Sequence, residues 1–367
     1  MRIGIDAFPA VGNSGGVARY ARNLLKALVA LDSGDEFVAY VPLKTRARRE
    51  IEDWVSSSRL QEVEVRRPFF RWRGWLDKLD VYHGTNFKVQ TMGRSGAILT
   101  IHDLWLDRHP EYSRKVLGQQ LSLFRTRRRA WQAARVITVS EYSAKDIQEL
   151  YGLPKERIVV IPNGVSSEFR PDRGESEFSE VRSRYGIGRG PYVLFVGGAD
   201  PRKNHVTLFQ AYAGKQALRR SHSLVIVGDP SHRLGSVRET ARTLEISDRV
   251  VCTGAVPTDD LRLLYSHTDL FVFPSWYEGF GFPVLEAMAC GAAVITSNST
   301  ALPEVAGDAA ILVNPKDPEE LAEAMVRVLE DASLRTSLKT RGIERARQFT
   351  WARSARQTLA VYREVCQ

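Results

Sequence analysis

The sequence predicts an α/β protein built as two doubly wound domains, and three observations carry that prediction. Short apolar runs of strand length alternate with amphipathic helical stretches almost throughout. The alternation lapses in a polar stretch at residues 166–190 and then restarts. The chain has 367 residues, which suits two domains better than one. Strands separated by helices form parallel sheets wrapped on both faces.

In the first half the expected strands are 2–7, 37–41, 62–66, 81–83, 97–101, 136–140 and 158–162, with helices such as 17–30 and 144–151 between them. Ser140 suits a helix N-cap, because its hydroxyl accepts an otherwise unpaired amide. Gly152, with Pro154 beyond it, suits the stop. In the second half the expected strands are 192–196, 223–227, 250–253, 270–274, 293–296 and 309–313, and long helices follow from Glu319. The polar stretch reads as a linker, placing the domains at 1–170 and 171–349. In open parallel sheets ligands bind beyond the carboxyl ends of the strands. Two such domains are expected to face one cleft with those loops, so chemistry is sought there.

A hydrophobic content of 43%, 9% aromatics and 27 glycines argue against disorder and against collagen-like or low-complexity chains. No apolar run approaches the roughly 20 residues of a membrane span, and residues 1–8 are too short and polar for a secretory signal. Cys252, Cys290 and Cys366 share no metal-like spacing and read as reduced thiols, which implies the cytoplasm. The net charge is +9 and uneven: residues 1–170 hold 28 Lys+Arg against 19 Asp+Glu, and residues 171–367 hold 24 of each. Two basic clusters stand out. Residues 66–75 interleave arginines with Phe69, Phe70, Trp72 and Trp75, and residues 125–129 hold four arginines. The second also reads as a solvated helix face. The first suits an anionic membrane interface, with rings at headgroup depth and guanidinium groups on phosphates, or a nucleic-acid face.

Four strand-end loops carry candidate chemistry. The first, residues 12–16, leads Gly15 and Gly16 into a helix, where a close backbone and a helix start favour an anion; the alternatives are a plain turn or, through Gly12-x-Ser14-x-Gly16, a hydrolase elbow that Pro9 and the loop length disfavour. His102 ends a strand and can donate to a hydroxyl or phosphate, while Asp103 is as well read as a turn residue. Arg202 and Lys203 sit where a helix begins; cations there oppose the helix dipole unless an anion lies between them, and the alternative is an exposed first turn. Glu278 and Glu286, eight residues apart, flank Gly279, Phe280, Gly281 and Phe282, with Pro283 suited to a first helical turn. Carboxylates so placed accept pairs of sugar hydroxyls.

Glu278 and Glu286 in EGFGFPVLEAMACG resemble the E-x7-E motif of retaining GT-B glycosyltransferases of the GT4 family, and the likeness extends to Gly15-Gly16, residues 100–104, 139–143, 161–165, 196–205 and the closing 349–351. Within the family it is most similar to bacterial mannosyltransferases of surface-polysaccharide or lipid-linked glycan synthesis. The resemblance implies a GT-B fold of two Rossmann-like domains, with a C-terminal helix, 350–367, crossing back to the first. It implies that Arg202 and Lys203 bind the donor diphosphate, Glu278 the donor sugar with amides of residues 279–282, and Glu286 the ribose. It places Gly15 and Gly16 by the β-phosphate and acceptor, and His102 near the donor sugar. Some relatives carry an arginine where this chain has Gly197-Gly198, which puts more diphosphate charge on Arg202 and Lys203.

The implied reaction moves a sugar, mannose from GDP-mannose, to a glycan or lipid-linked glycan with retention of configuration. UDP- or ADP-sugar donors, an epimerase or a phosphorylase are alternatives on the same fold. A basic nucleic-acid-binding protein is the distant one, and the neutral second half counts against it. No Asp-x-Asp occurs in the sequence, so no cofactor and metal-independent turnover are expected. The basic half is expected to meet an anionic membrane surface on the cytoplasmic side.

Overall fold

The computed structural model describes residues 1–11, 15–42, 60–65, 77–87, 96–112, 116–172, 174–197, 200–228 and 234–366. The cluster at 66–75, residues 12–14 of the first loop, and Gly198 lie outside these residues. The chain divides into two compact units, Met1–Gly164 with Phe349–Gln367, and Val165–Gln348.

The first unit runs β1 (Arg2–Asp6), α1 (Gly16–Ala30), β2 (Glu36–Pro42), β3 (Leu60–Val65), β4 (Val81–Gly84), β5 (Gly96–Ile101), α2 (Trp105–Arg108), α3 (Val116–Gln132), β6 (Arg135–Thr138), α4 (Glu141–Tyr151) and β7 (Ile158–Val160). Its strands form one parallel sheet in the order β3-β2-β1-β4-β5-β6-β7. Ile3, Ile98, Leu99, Ile101, Val136 and Ile137 are fully buried, as near-continuous apolar strands covered on both faces should be. Helix α1 buries Ala21, Leu24, Leu25 and Leu28, one stripe at helical spacing. Ser140 caps α4 by accepting the Ser143 amide at 3.1 Å.

The second unit contains α5 (Glu175–Tyr185), β8 (Tyr192–Val196), α6 (His205–Gly214), α7 (Gln216–Ser221), β9 (Ser223–Val227), α8 (Leu234–Thr243), β10 (Val250–Gly254), α9 (Thr258–His267), β11 (Leu270–Phe273), α10 (Phe282–Ala289), β12 (Val294–Ser297), α11 (Leu302–Ala306), β13 (Ile311–Val313), α12 (Pro318–Glu330) and α13 (Ala332–Ala346). Its parallel sheet runs β10-β9-β8-β11-β12-β13. Phe195, Phe271 and Phe273 are fully buried, each contributing about 1.5–3 kcal/mol.

The stretch 166–190 is not a plain linker, because α5 occupies its centre. Only Phe178 and Val181 are buried in this charged helix, too few apolar positions for a visible period. Phe178 stacks on His267 at 3.9 Å and on Tyr192 at 6.2 Å, fixing the helix to the second unit. Glu175 and Glu177 in its first turn and Arg182 and Arg184 in its last complement the helix dipole.

In both sheets the strand order reverses, between β1 and β4 and between β8 and β11. Loops leaving neighbouring strands at such a point lie side by side, and the candidate loops after β1, β8 and β11 leave from these strands.

The closing helix α14 (Trp351–Cys366) belongs to the first unit. Ser354 Oγ donates to the Pro162 carbonyl at 2.7 Å, and the Tyr362 hydroxyl lies 2.6 Å from His83 Nδ1. Gly164 lets the chain pass this helix start closely: a methyl group there would run into the backbone of Thr350 and Trp351. Gly164→Ala should therefore cost about 1–3 kcal/mol, read as a lower urea midpoint at an unchanged slope. A midpoint equal to wild type would show that the backbone yields there at no cost.

Candidate functional site

In the second unit the β8–β11 pairing, Val193 beside Leu270, brings two loops together. The loop after β8 folds as a 3-10 turn, Pro201–Lys203, in which Asp200 accepts the Arg202 amide at 3.0 Å. Asn204 follows in the left-handed region at φ 58 and donates to the carbonyls of Pro274, at 2.9 Å, and Pro315, at 2.6 Å. These bonds tie the loop to the ends of β11 and β13.

Lys203 and Glu278 meet across the two loops, Nζ to Oε1 at 2.6 Å. The Lys203 ammonium also lies 5.2 Å from the centre of the Phe273 ring. Ser275 Oγ is 2.8 Å from both that carboxylate oxygen and the Arg202 carbonyl, so its single proton serves one of them at a time. The Glu278 amide donates to Thr300 Oγ1 at 3.0 Å. Arg202 instead grips Asp200, with Nε and Nη2 at 3.0 and 2.8 Å from Oδ2. Burial alone would raise the Asp200 pKa, but the Arg202 hydrogen bonds and charge outweigh it and hold it below the usual value.

Gly279 and Phe280 follow in the loop, and Gly281, at φ 110, stands just before α10. A side chain at Gly281 would be strained by that angle and would meet Leu302 Cδ2 at 2.7 Å. Phe282 opens α10 with Pro283 in the first turn, and the rings of Phe280 and Phe282 meet edge to face at 5.3 Å. Glu286, one turn on, is 2% exposed, and its Oε2 accepts the Tyr265 hydroxyl at 3.4 Å.

In the first unit Gly15 precedes α1 at φ 104 and Gly16 is its first residue. Tyr20, on the next turn, sets its ring edge-on to His102 at 4.7 Å. His102 is buried just past the end of β5, and its Nε2 lies 2.8 Å from the Thr85 carbonyl. A carbonyl only accepts, so Nε2 carries the proton. Burial lowers the His102 pKa and keeps the ring neutral. Behind it, His83 is fully buried between Tyr362 and Thr100, with Nε2 2.7 Å from Thr100 Oγ1. Burial pushes the His83 pKa down to about 3, and a proton on His102 would lower it further still, so the two rings resist protonation together.

Two family models match the chain: Glycosyltransferase Family 4 over residues 14–169, and Glycosyl transferases group 1 over residues 177–345. The O-antigen chain mannosyltransferase B of Escherichia coli is 34% identical over 77% of this chain and 74% of its own length. The chain belongs to glycosyltransferase family 4. The serotype-specific mannosyltransferase WbdA of Escherichia coli is 31% identical over 61% of the chain, a match that spans only 28% of that longer protein. In fold, this family-4 glycosyltransferase is similar to Anabaena HepE, solved in complex with UDP-glucose, at a TM-score of 0.79, 18% identity, and coverage of 99% and 100% of the two chains. Its architecture is GT-B, two parallel-sheet α/β units.

The structure brings Lys203, Glu278 and the start of α10 together in the second unit, and His102 and α1 together in the first. It corrects two details. The anion inferred between Arg202 and Lys203 is not needed to account for them, because each cation already faces a carboxylate, Asp200 or Glu278, in a turn ahead of α6. The donor N–H expected of His102 is already committed to Thr85, which leaves the neutral ring an acceptor at Nδ1. Asp103 accepts the Trp105 amide at 3.2 Å, a turn role. Ser275 and Thr300 were not anticipated; Ser275 is a polar residue two positions beyond an apolar strand, a usable signal, whereas Thr300 is 22 residues from its partner and has no local mark.

Both histidines are held below their unfolded pKa, so the unfolded chain binds protons that the folded one refuses. Stability is full above about pH 6.5 and falls as pH drops toward the folded value of about 3 for His83. His83 should cost up to about 1.4 kcal/mol per pH unit in that window, and His102 adds to the fall in the same direction. His83→Gln should flatten the fall in melting temperature between pH 7 and 5; an unchanged slope would mean that His83 protonates freely in the fold.

Proposed function

We propose that this glycosyltransferase is a retaining mannosyltransferase that moves mannose from GDP-mannose to a glycan or lipid-linked glycan. The observation that carries the donor site is the Lys203–Glu278 pair, set between the carboxyl ends of β8 and β11 and the start of α10. A diphosphate takes the ammonium and the α10 amides, and sugar hydroxyls take the carboxylate. The names of the Escherichia coli relatives support mannose. Arg202 joins Lys203 on the diphosphate, and Glu286 takes the ribose. Gly15, Gly16 and His102 serve the acceptor side and the sugar.

In the proposed reaction the bond from the anomeric carbon to the phosphate oxygen loosens as charge grows on the diphosphate. Lys203, Arg202 and the amides stabilise that charge. The acceptor hydroxyl enters from the same face and forms the new bond, and its proton passes to the departing phosphate oxygen. Retention then needs no protein nucleophile, and the absence of Asp-x-Asp from the sequence supports turnover without a metal.

GDP-mannose should raise the melting temperature more than UDP- or ADP-sugars. GDP release with a lipid-linked glycan fraction should persist in EDTA, and Lys203→Ala and Glu278→Ala should each cut it by about 100-fold or more with circular dichroism unchanged. Near-wild-type rates in either variant remove that residue from the site. Restoration of EDTA-treated enzyme by Mg²⁺ removes metal independence, and sugar isomerisation without acceptor favours the epimerase.

We further propose that the basic half docks on an anionic membrane surface. Among the described residues no helix is long and apolar enough to cross a membrane. On α3, Phe124, Arg127, Arg128 and Trp131 share one exposed face at helical spacing, with Phe124 65% and Trp131 45% exposed. Arg157 adds its charge 5.7 Å from the Trp131 ring. Rings at headgroup depth and guanidinium groups on lipid phosphates fit that face. The wild type should co-sediment with phosphatidylglycerol vesicles and not with phosphatidylcholine, and Phe124→Ser with Arg127→Glu should lose most of that binding. Equal recovery with both lipids would sink the idea.

A further inference from the structure

Six non-glycine residues among those described have φ in the left-handed region, and Thr300, at φ 57, is the one that is β-branched. A branched Cβ crowds the backbone there, so glycine would fit the conformation better. What glycine would lack is the hydroxyl. Thr300 Oγ1 accepts the Glu278 amide at 3.0 Å, and the next amide, of Ala301, donates back to the Glu278 carbonyl at 3.4 Å. The two preceding hydroxyls in this segment do a different job. Ser297 donates to the Ser275 carbonyl at 2.6 Å and Ser299 to the Trp276 carbonyl at 3.3 Å. The segment after β12 thus fastens the loop carrying Glu278, and Thr300 supplies the acceptor for its amide. At the other end of the same residue, Lys203 and Ser275 hold the carboxylate.

We propose that Thr300 is a positioning residue for Glu278, kept in an unfavourable backbone conformation because its hydroxyl sets where the carboxylate meets the donor sugar. This rests on the donor-sugar role proposed above for Glu278.

The test is titration calorimetry with GDP-mannose and with GDP on wild type, Thr300→Gly, Thr300→Ser and Glu278→Ala, with melting temperatures alongside. Thr300→Gly should melt no lower than wild type, bind GDP-mannose about tenfold more weakly, as loss of one hydrogen bond allows, and bind GDP as before. Thr300→Ser, which keeps the hydroxyl, should restore GDP-mannose affinity. The proposal is overturned if Thr300→Gly binds GDP-mannose like wild type, if it loses GDP equally or melts lower, or if Thr300→Ser does not rescue it. Glu278→Ala separates the two levels. Weak GDP-mannose binding in Glu278→Ala beside normal binding in Thr300→Gly sinks only the role of Thr300. Normal binding in Glu278→Ala sinks the sugar role of Glu278, and the role of Thr300 with it.

Discussion

The second unit is organised around one ion pair, Lys203 with Glu278. Its side chains are only 16% and 10% exposed, so both charges have given up most of their hydration. Mutual attraction and the Ser275 hydroxyl offset that loss, but a buried pair of this kind is seldom more stabilising than apolar packing of the same volume. Stability alone is therefore a poor reason for it. The pair also depends on everything around it: the β8–β11 register sets the loops side by side, and Asn204, bonded to Pro274 and Pro315, holds the lysine's turn against the strand ends. Such scaffolding makes sense for two charges that a ligand can part, anionic at one end and hydroxylated at the other, as the proposed donor is.

Arg202 and Lys203 are adjacent in sequence but differ in setting. The Arg202 guanidinium is gripped by Asp200 two residues before it, a contact within its own turn. Lys203 is held by a residue 75 positions away, so its place reports on the packing of the whole sheet. In the proposed donor site a diphosphate would meet one cation with its own counter-ion, Asp200, and one whose partner, Glu278, takes the sugar. On that proposal, binding of the sugar and of the diphosphate would be coupled through a single carboxylate.

How much of this was legible follows from where each signal lies. Strands β8 and β9 were read to the residue, because buried parallel strands are short unbroken apolar runs. Lys203, Glu278 and Gly281 were found because strand-end loops with paired charges and glycines are conspicuous in one dimension. Helix α5 was missed because two buried residues in a charged helix leave no period, although its acidic start and basic end were there to see. Thr300 and the partners of Arg202 and Lys203 were missed for another reason. Residue type says that a cation or hydroxyl is present, and only the fold says which carboxylate or amide it meets. The tautomer of His102 is of the same kind, set by a carbonyl 17 residues earlier.

The charge asymmetry can be located in the same way. In the second unit many cations are matched within the fold: Arg184 with Asp260, Arg262 with Asp172, Arg202 with Asp200, Lys203 with Glu278. Charges so matched leave little field at a distance. The exposed arginines of α3 instead stand beside exposed rings. At physiological salt a charge is screened within about 8 Å, so this excess acts only on what touches the helix face. In the docking proposed above, an anionic surface is what that excess meets. On that proposal both halves of the face have a counterpart, lipid phosphates for the guanidinium groups and the interfacial layer for Phe124 and Trp131.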